Sequence, residues 1–145
     1  MSDHARQRLL AIAVFLAVIA ILSRFMGRKE VVSYRFVDGG FTVSTASGQS
    51  RTVRWDEIEG VELLDSFEAG SPVDAVTEGS ERSGTWDSEA YGTVSLYTDA
   101  SVERWIAISL PDSVTIVNFE SETSTGQLYL AIVEATRDAD EQQKE

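Results

Sequence analysis

Hydrophobic and polar positions follow three patterns along this chain. Residues 9–22 (LLAIAVFLAVIAIL) are apolar without a break. From Val32 the period falls to two. Val32, Tyr34 and Phe36 alternate with Ser33 and Arg35, the signature of a strand with one buried face. Near the end the spacing lengthens. Leu128, Tyr129, Ile132, Val133 and Thr136 recur three and four apart, as on a helix with one apolar stripe.

The alternating region predicts about seven short strands. Asp38-Gly39-Gly40 is a turn between 32–36 and the face formed by Phe41, Val43 and Thr45. Residues 51–55 make a third strand, residues 56–59 a polar corner around Ile58, and Val61 with Leu63 a fourth. Further strands are expected over 93–98, 103–110 and 114–119, with turns at 99–101 and 111–113. Between them, residues 66–90 hold Gly70, Pro72, Gly79, Gly84 and few aliphatics. They read as one long loop, either disordered or functional. Its large apolar side chains are Phe67 and Trp86. Trp86 either tucks into the edge of the core or is, with Phe67, a contact for a partner. Ser124-Thr125-Gly126-Gln127 reads as a capping box opening the final helix, and residues 137–145 as a flexible acidic tail.

The apolar run predicts a transmembrane helix over 9–27 behind a basic tail of residues 1–8. A span needs about 20 residues, so Arg24 must snorkel to the headgroups. The flanks are Arg6 and Arg8 before, and Arg24, Arg28 and Lys29 after. Three bases against two lean to a cytoplasmic C-terminal domain at the cell membrane. A cleaved signal peptide and a buried core helix are the alternatives. The first lacks a small-residue cleavage site, and the second is odd for a stretch apolar on every face.

Charge sharpens this division. Residues 1–29 carry five bases and one acid, net +4, and residues 30–145 seven bases and 23 acids, net −16. Nucleic acid, whose binding rests on Lys and Arg contacts to phosphate, is not an expected partner. Lys29 and Lys144 are the only lysines against ten arginines. That balance suits either solubility in high salt or an ordinary acidic surface in an arginine-favouring composition.

The chemistry of the side chains is sparse. No Cys is present, which excludes disulfides, thiolate metal sites and a cysteine nucleophile. His4 is the only histidine and lies in the N-terminal tail. No phosphate-binding glycine motif occurs. Asp56, Glu57, Glu59, Glu62, Asp65 and Glu68 cluster within 13 residues, but without calcium-loop spacing. They are expected to form a solvated acidic face rather than a cation site or a carboxylate pair. No catalytic residues, cofactor or metal are assigned.

Two stretches resemble a pleckstrin-homology (PH) domain of the prokaryotic, membrane-anchored kind. The first is residues 34–41 (YRFVDGGF) followed by 51–61 (RTVRWDEIEGV). The second is residues 91–98 (YGTVSLYT). The resemblance covers roughly 31–136. It implies an α+β, mainly β fold: a PH-like antiparallel barrel or two packed sheets of about seven strands closed by a C-terminal helix. It also implies binding or assembly rather than catalysis. Members that hold phosphoinositides do so with bases in the first hairpin loop. Here that loop is Asp38-Gly39-Gly40, which speaks against phosphoinositide binding.

The expectation is therefore a non-enzymatic, membrane-anchored PH-like module. It would meet the lipid bilayer through 9–27 and either a protein partner or a second copy through its domain. The alternative is an outward-facing sensor or small-molecule-binding barrel with the 66–90 loop as its lid.

Overall fold

The computed structural model describes residues 3–26 and 30–144, without the side chains of residues 3, 5, 9 and 19–26. Helix α1 spans Asp3–Met26. Its described side chains, including Leu10, Ile12, Val14, Phe15, Leu16 and Val18, are exposed rather than packed on the domain.

The expected membrane span does not hold. Among the described residues, no helix is long and apolar enough to cross a membrane. The unbroken apolar run is 14 residues, about 21 Å of helix, against a hydrocarbon core of about 30 Å. The longer count to residue 27 passes through Arg24. The transmembrane, single-pass description of this segment is therefore unsupported. Arg28, Lys29 and the side chain of Arg24 lie outside the described residues.

Among the described residues, nine strands form two sheets. In the smaller, β1 (Val32–Val37), β2 (Gly40–Thr45) and β3 (Ser50–Arg54) run antiparallel in chain order. Asp38-Gly39 makes the two-residue turn between β1 and β2, with Gly39 at φ 76°. A short 3-10 turn, Trp55–Glu57, leads out of this sheet.

The larger sheet contains β4 (Gly60–Leu64), β5 (Ser71–Glu78), β6 (Glu81–Ser88), β7 (Gly92–Asp99), β8 (Trp105–Ser109) and β9 (Val114–Val117). Its spatial order is β4-β8-β9-β7-β6-β5. Neighbours are antiparallel except β7 and β9, which run parallel.

The expected PH-like barrel is not formed. The 3-10 turn carries the chain away from β3, so that β4 pairs with β8, and the Glu59 N–H bonds the Ser109 carbonyl at 2.8 Å. The two sheets pack face to face instead of closing on each other. Nor is the stretch 66–90 a loop, because 71–78 and 81–88 form a β-hairpin. That removes the lid of the alternative reading.

The main core lies between the sheets. Val32, Phe41, Val43 and Val53 meet Tyr97, Ile106, Ile108 and Val117, and Leu128 and Ile132 of helix α2 (Glu122–Gln143) complete it. Helix α2 includes most of the stretch expected to be a flexible tail. Its cap is Ser121, three residues before the expected one. The Ser121 side chain accepts from the Ser124 N–H at 3.0 Å.

The larger sheet is apolar on its other face too, where Trp86, Val94, Leu96, Ala107 and Ile116 form a second cluster. Residues 65–70 cover it. They join β4 at one edge of the sheet to β5 at the other. Five strand spacings of about 4.8 Å make about 24 Å, close to the reach of a fully extended chain between residues 64 and 71. The segment is thus a taut strap, and it lays Phe67 and Ala69 on the second cluster.

Candidate functional site

At the strap, aromatic side chains, acids and concave surface coincide. Phe67, half-buried, lies with its ring centroid 6.2 Å from Tyr91 and 6.1 Å from Trp105. On one side of it, Ser66, Phe67, Glu68, Glu89, Ala90 and Tyr91 line a cleft of about 380 Å³. On the other side a cleft of about 260 Å³ runs under the strap between Phe67, Ala69, Trp86 and Trp105. Phe67 lines both clefts.

The surroundings are acidic. Glu62, Asp65, Glu68 and Glu89 are all exposed. The Tyr91 hydroxyl sits 3.5 Å from the Glu62 carboxylate. Burial, and then the Glu62 charge and hydrogen bond, push the Tyr91 phenol above its usual value. Tyr91 is thus a neutral donor at any ordinary pH. Arg104 offsets part of this charge through a 3.3 Å ion pair to Asp65.

The two aromatics singled out in the sequence come together here in different roles. Both line the inner cleft, but Trp86 is only 6% exposed and donates its indole N–H to the Ser83 carbonyl at 3.0 Å. It is a core residue, and Phe67 is the accessible one. Tyr91, Trp105 and Glu89 were not legible as site residues. Trp105 read as a strand position and Tyr91 as the residue between the expected loop and the strand over 93–98, and nothing local shows that the strap packs against them.

The acidic run from Asp56 to Glu68 does not converge. Its six members are exposed and spread over the 3-10 turn, β4 and the strap. No group of three His, Cys, Asp or Glu able to hold a metal ion occurs among the described residues. Of the basic flanks, Arg6 and Arg8 are exposed on α1, as is His4.

Glu81 is the most buried carboxylate among the described residues, at 2% exposure. Burial, the largest influence, disfavours its charge. Hydrogen bonds from the Ser47 and Ser83 hydroxyls, the Ser47 N–H and the Thr45 hydroxyl outweigh that and hold it below the ordinary 4.5. The Ser47 hydrogen bonds tie the β2–β3 turn of the small sheet to β6 of the large one.

The free sheet edge at β5 is blunted. Pro72 removes a donor, and the register breaks between Pro72 and Asp74, beside a Val73 that is 62% exposed. The strap is left as the better-formed surface.

Compared with known proteins, the chain matches no family model, no curated protein and no solved structure.

Proposed function

We propose that this chain is a non-catalytic protein-interaction module whose binding surface is the strap cleft. The observation that carries the reading is the placement of Phe67. It is an apolar anchor shared by two clefts, with exposed carboxylates nearby that Arg104 offsets only in part. Apolar anchors in a concave site supply affinity, and complementary charge around the rim steers the encounter. The partner that fits is a polypeptide segment with apolar side chains for the cleft and Lys or Arg for its rim. The domain's net charge of −16 over residues 30–145 acts in the same direction at longer range.

The test is an amide NMR titration of the full chain with a helical peptide built of Lys and Leu, and with its Glu/Leu counterpart. The Lys/Leu peptide is expected to shift the amides of 66–68 and 89–91, an effect removed by Phe67→Ala. Equal shifts with both peptides, or shifts centred on another face, overturn the reading.

A further inference from the structure

We infer that the occupant of the strap cleft is helix α1 of a second copy of this chain. The inference rests on the interaction reading above and names its partner.

Three observations converge. First, α1 presents large apolar side chains to water. Leu10, Ile12, Val14, Phe15, Leu16 and Val18 are each 47–66% exposed. Such a contiguous apolar surface marks an interaction site. Second, the charges are complementary. Residues 1–29 carry net +4 and residues 30–145 net −16. Third, the stripe geometry matches the cleft. Arg8, Ile12 and Phe15 are spaced four and three apart, so they share one face of the helix. That face offers an aromatic ring, an aliphatic chain and a guanidinium in a line. The cleft offers the rings of Phe67 and Tyr91 and the exposed carboxylates of Glu68 and Glu89 in its lining. A volume of about 380 Å³ takes a few side chains of one stripe, not a whole helix. Docking is therefore by insertion of Phe15 and Ile12, with Arg8 and Arg6 reaching the rim acids.

The contact pairs different surfaces on the two copies. If both contacts of a pair form reciprocally, the result is a closed dimer. If they form in one direction only, the chains add head to tail.

The experiment measures the mass in solution of two variants of the full chain, alone and mixed. One carries Ile12→Glu with Phe15→Glu on α1. The other carries Glu68→Lys with Glu89→Lys on the rim, both exposed positions whose exchange leaves the core untouched. The wild type is expected to associate, and each variant alone to be monomeric, at least tenfold weaker in self-association. The mixture is expected to form a 1:1 pair, since one variant retains the helix and the other the cleft. Adding Arg6→Glu and Arg8→Glu to the rim variant restores association.

Continued association of the rim variant alone would mean that α1 packs on α1, and overturns the inference. So does a monomeric wild type that sediments with phosphatidylcholine vesicles whether or not Glu68 and Glu89 are exchanged. In both cases the Lys/Leu titration separately shows whether the cleft still binds a basic segment.

Discussion

Ser47 and Glu81, 34 residues apart, are joined twice. The Ser47 N–H donates to one Glu81 carboxylate oxygen at 2.9 Å and its hydroxyl to the other at 2.5 Å. The Ser83 hydroxyl adds a third bond at 2.6 Å. Ser47 lies in the turn between β2 and β3, and Glu81 opens β6, so one carboxylate ties the small sheet to the large one. Hydrogen bonds to a buried charge are worth about 1.5–3 kcal/mol, and leaving their donors unpaired costs more than the mean bond. Glu81→Gln is expected to lose about 2–3 kcal/mol at pH 7 in urea unfolding. The pH dependence has a definite sign. The folded carboxyl titrates below its ordinary 4.5. Its stabilisation is thus complete above 4.5 and is lost as pH falls through the lower, folded value. The melting temperature of the wild type should fall more steeply than that of Glu81→Gln as pH is lowered from 4.5. Parallel curves would show that the charge contributes nothing.

Gly84 sits mid-strand at φ 88°, where a Cβ would overlap the Asp74 carbonyl of the neighbouring strand. Gly48 has a similar φ, 97°, but open space around it. Gly84→Ala therefore meets both strain and collision, and Gly48→Ala strain alone. The first is expected to cost about 3 kcal/mol or more and the second about 1–2. Equal losses in denaturant unfolding would mean that β5 gives way without penalty.

Gly84 also explains why the β5–β6 hairpin was invisible in the sequence. An isolated glycine among Ser, Thr and acids reads as a loop, and the buried residues of β6 are split between its two faces, Glu81 and Ser83 toward the small sheet and Trp86 and Ser88 on the other, rather than forming a run of aliphatics. Glu81 and Ser83 are buried polar residues bonded to each other and, through Glu81, to the β2–β3 turn, a long-range fact that no local period carries. By contrast, β1, β2 and β8 bury Val32, Phe41, Val43, Ile106 and Ile108 at alternate positions, and period two located them. The strap fails for the same reason as the hairpin. Phe67 was legible as a large apolar side chain in a polar stretch. Its neighbours Tyr91 and Trp105 are brought to it only by the strand order, since the strap must pass over β8 to reach β5.

Asn118 is fully buried and closes the turn after β7. Its Oδ1 accepts from the Asp99 N–H at 2.7 Å, and its Nδ2 donates to the carbonyls of Asp99 and Val102 at 2.9 and 3.1 Å. One amide satisfies three backbone groups that have no water to turn to. Asn118→Ala strands all three, at an expected cost of about 3 kcal/mol. Asn118→Asp retains the acceptor but loses both donors and points charge at two carbonyls, so it should be no milder. A melting temperature within a few degrees of wild type for either variant would show that the turn re-forms its bonds elsewhere.

Two serines compete for the role of cap on α2, and the structure separates them. The Ser121 Oγ accepts the Ser124 N–H at 3.0 Å, from an extended backbone at φ −155°. Ser124 contributes its N–H, which any residue would supply, and its own hydroxyl meets only the Ser121 hydroxyl, at 3.0 Å. Thr125, buried beneath them, donates to the Ser121 carbonyl at 2.8 Å and accepts from the Phe119 N–H at 3.0 Å. Ser121→Ala leaves an orphan N–H at the helix start and is expected to cost about 1 kcal/mol. Ser124→Ala should cost only a few tenths, because alanine preserves the bonded N–H and is the better helix former. Thermal melts of the two variants decide between them. A larger loss from Ser124→Ala would place the cap where the sequence spacing first put it, three residues on, and shorten α2 by a turn from its N-terminus.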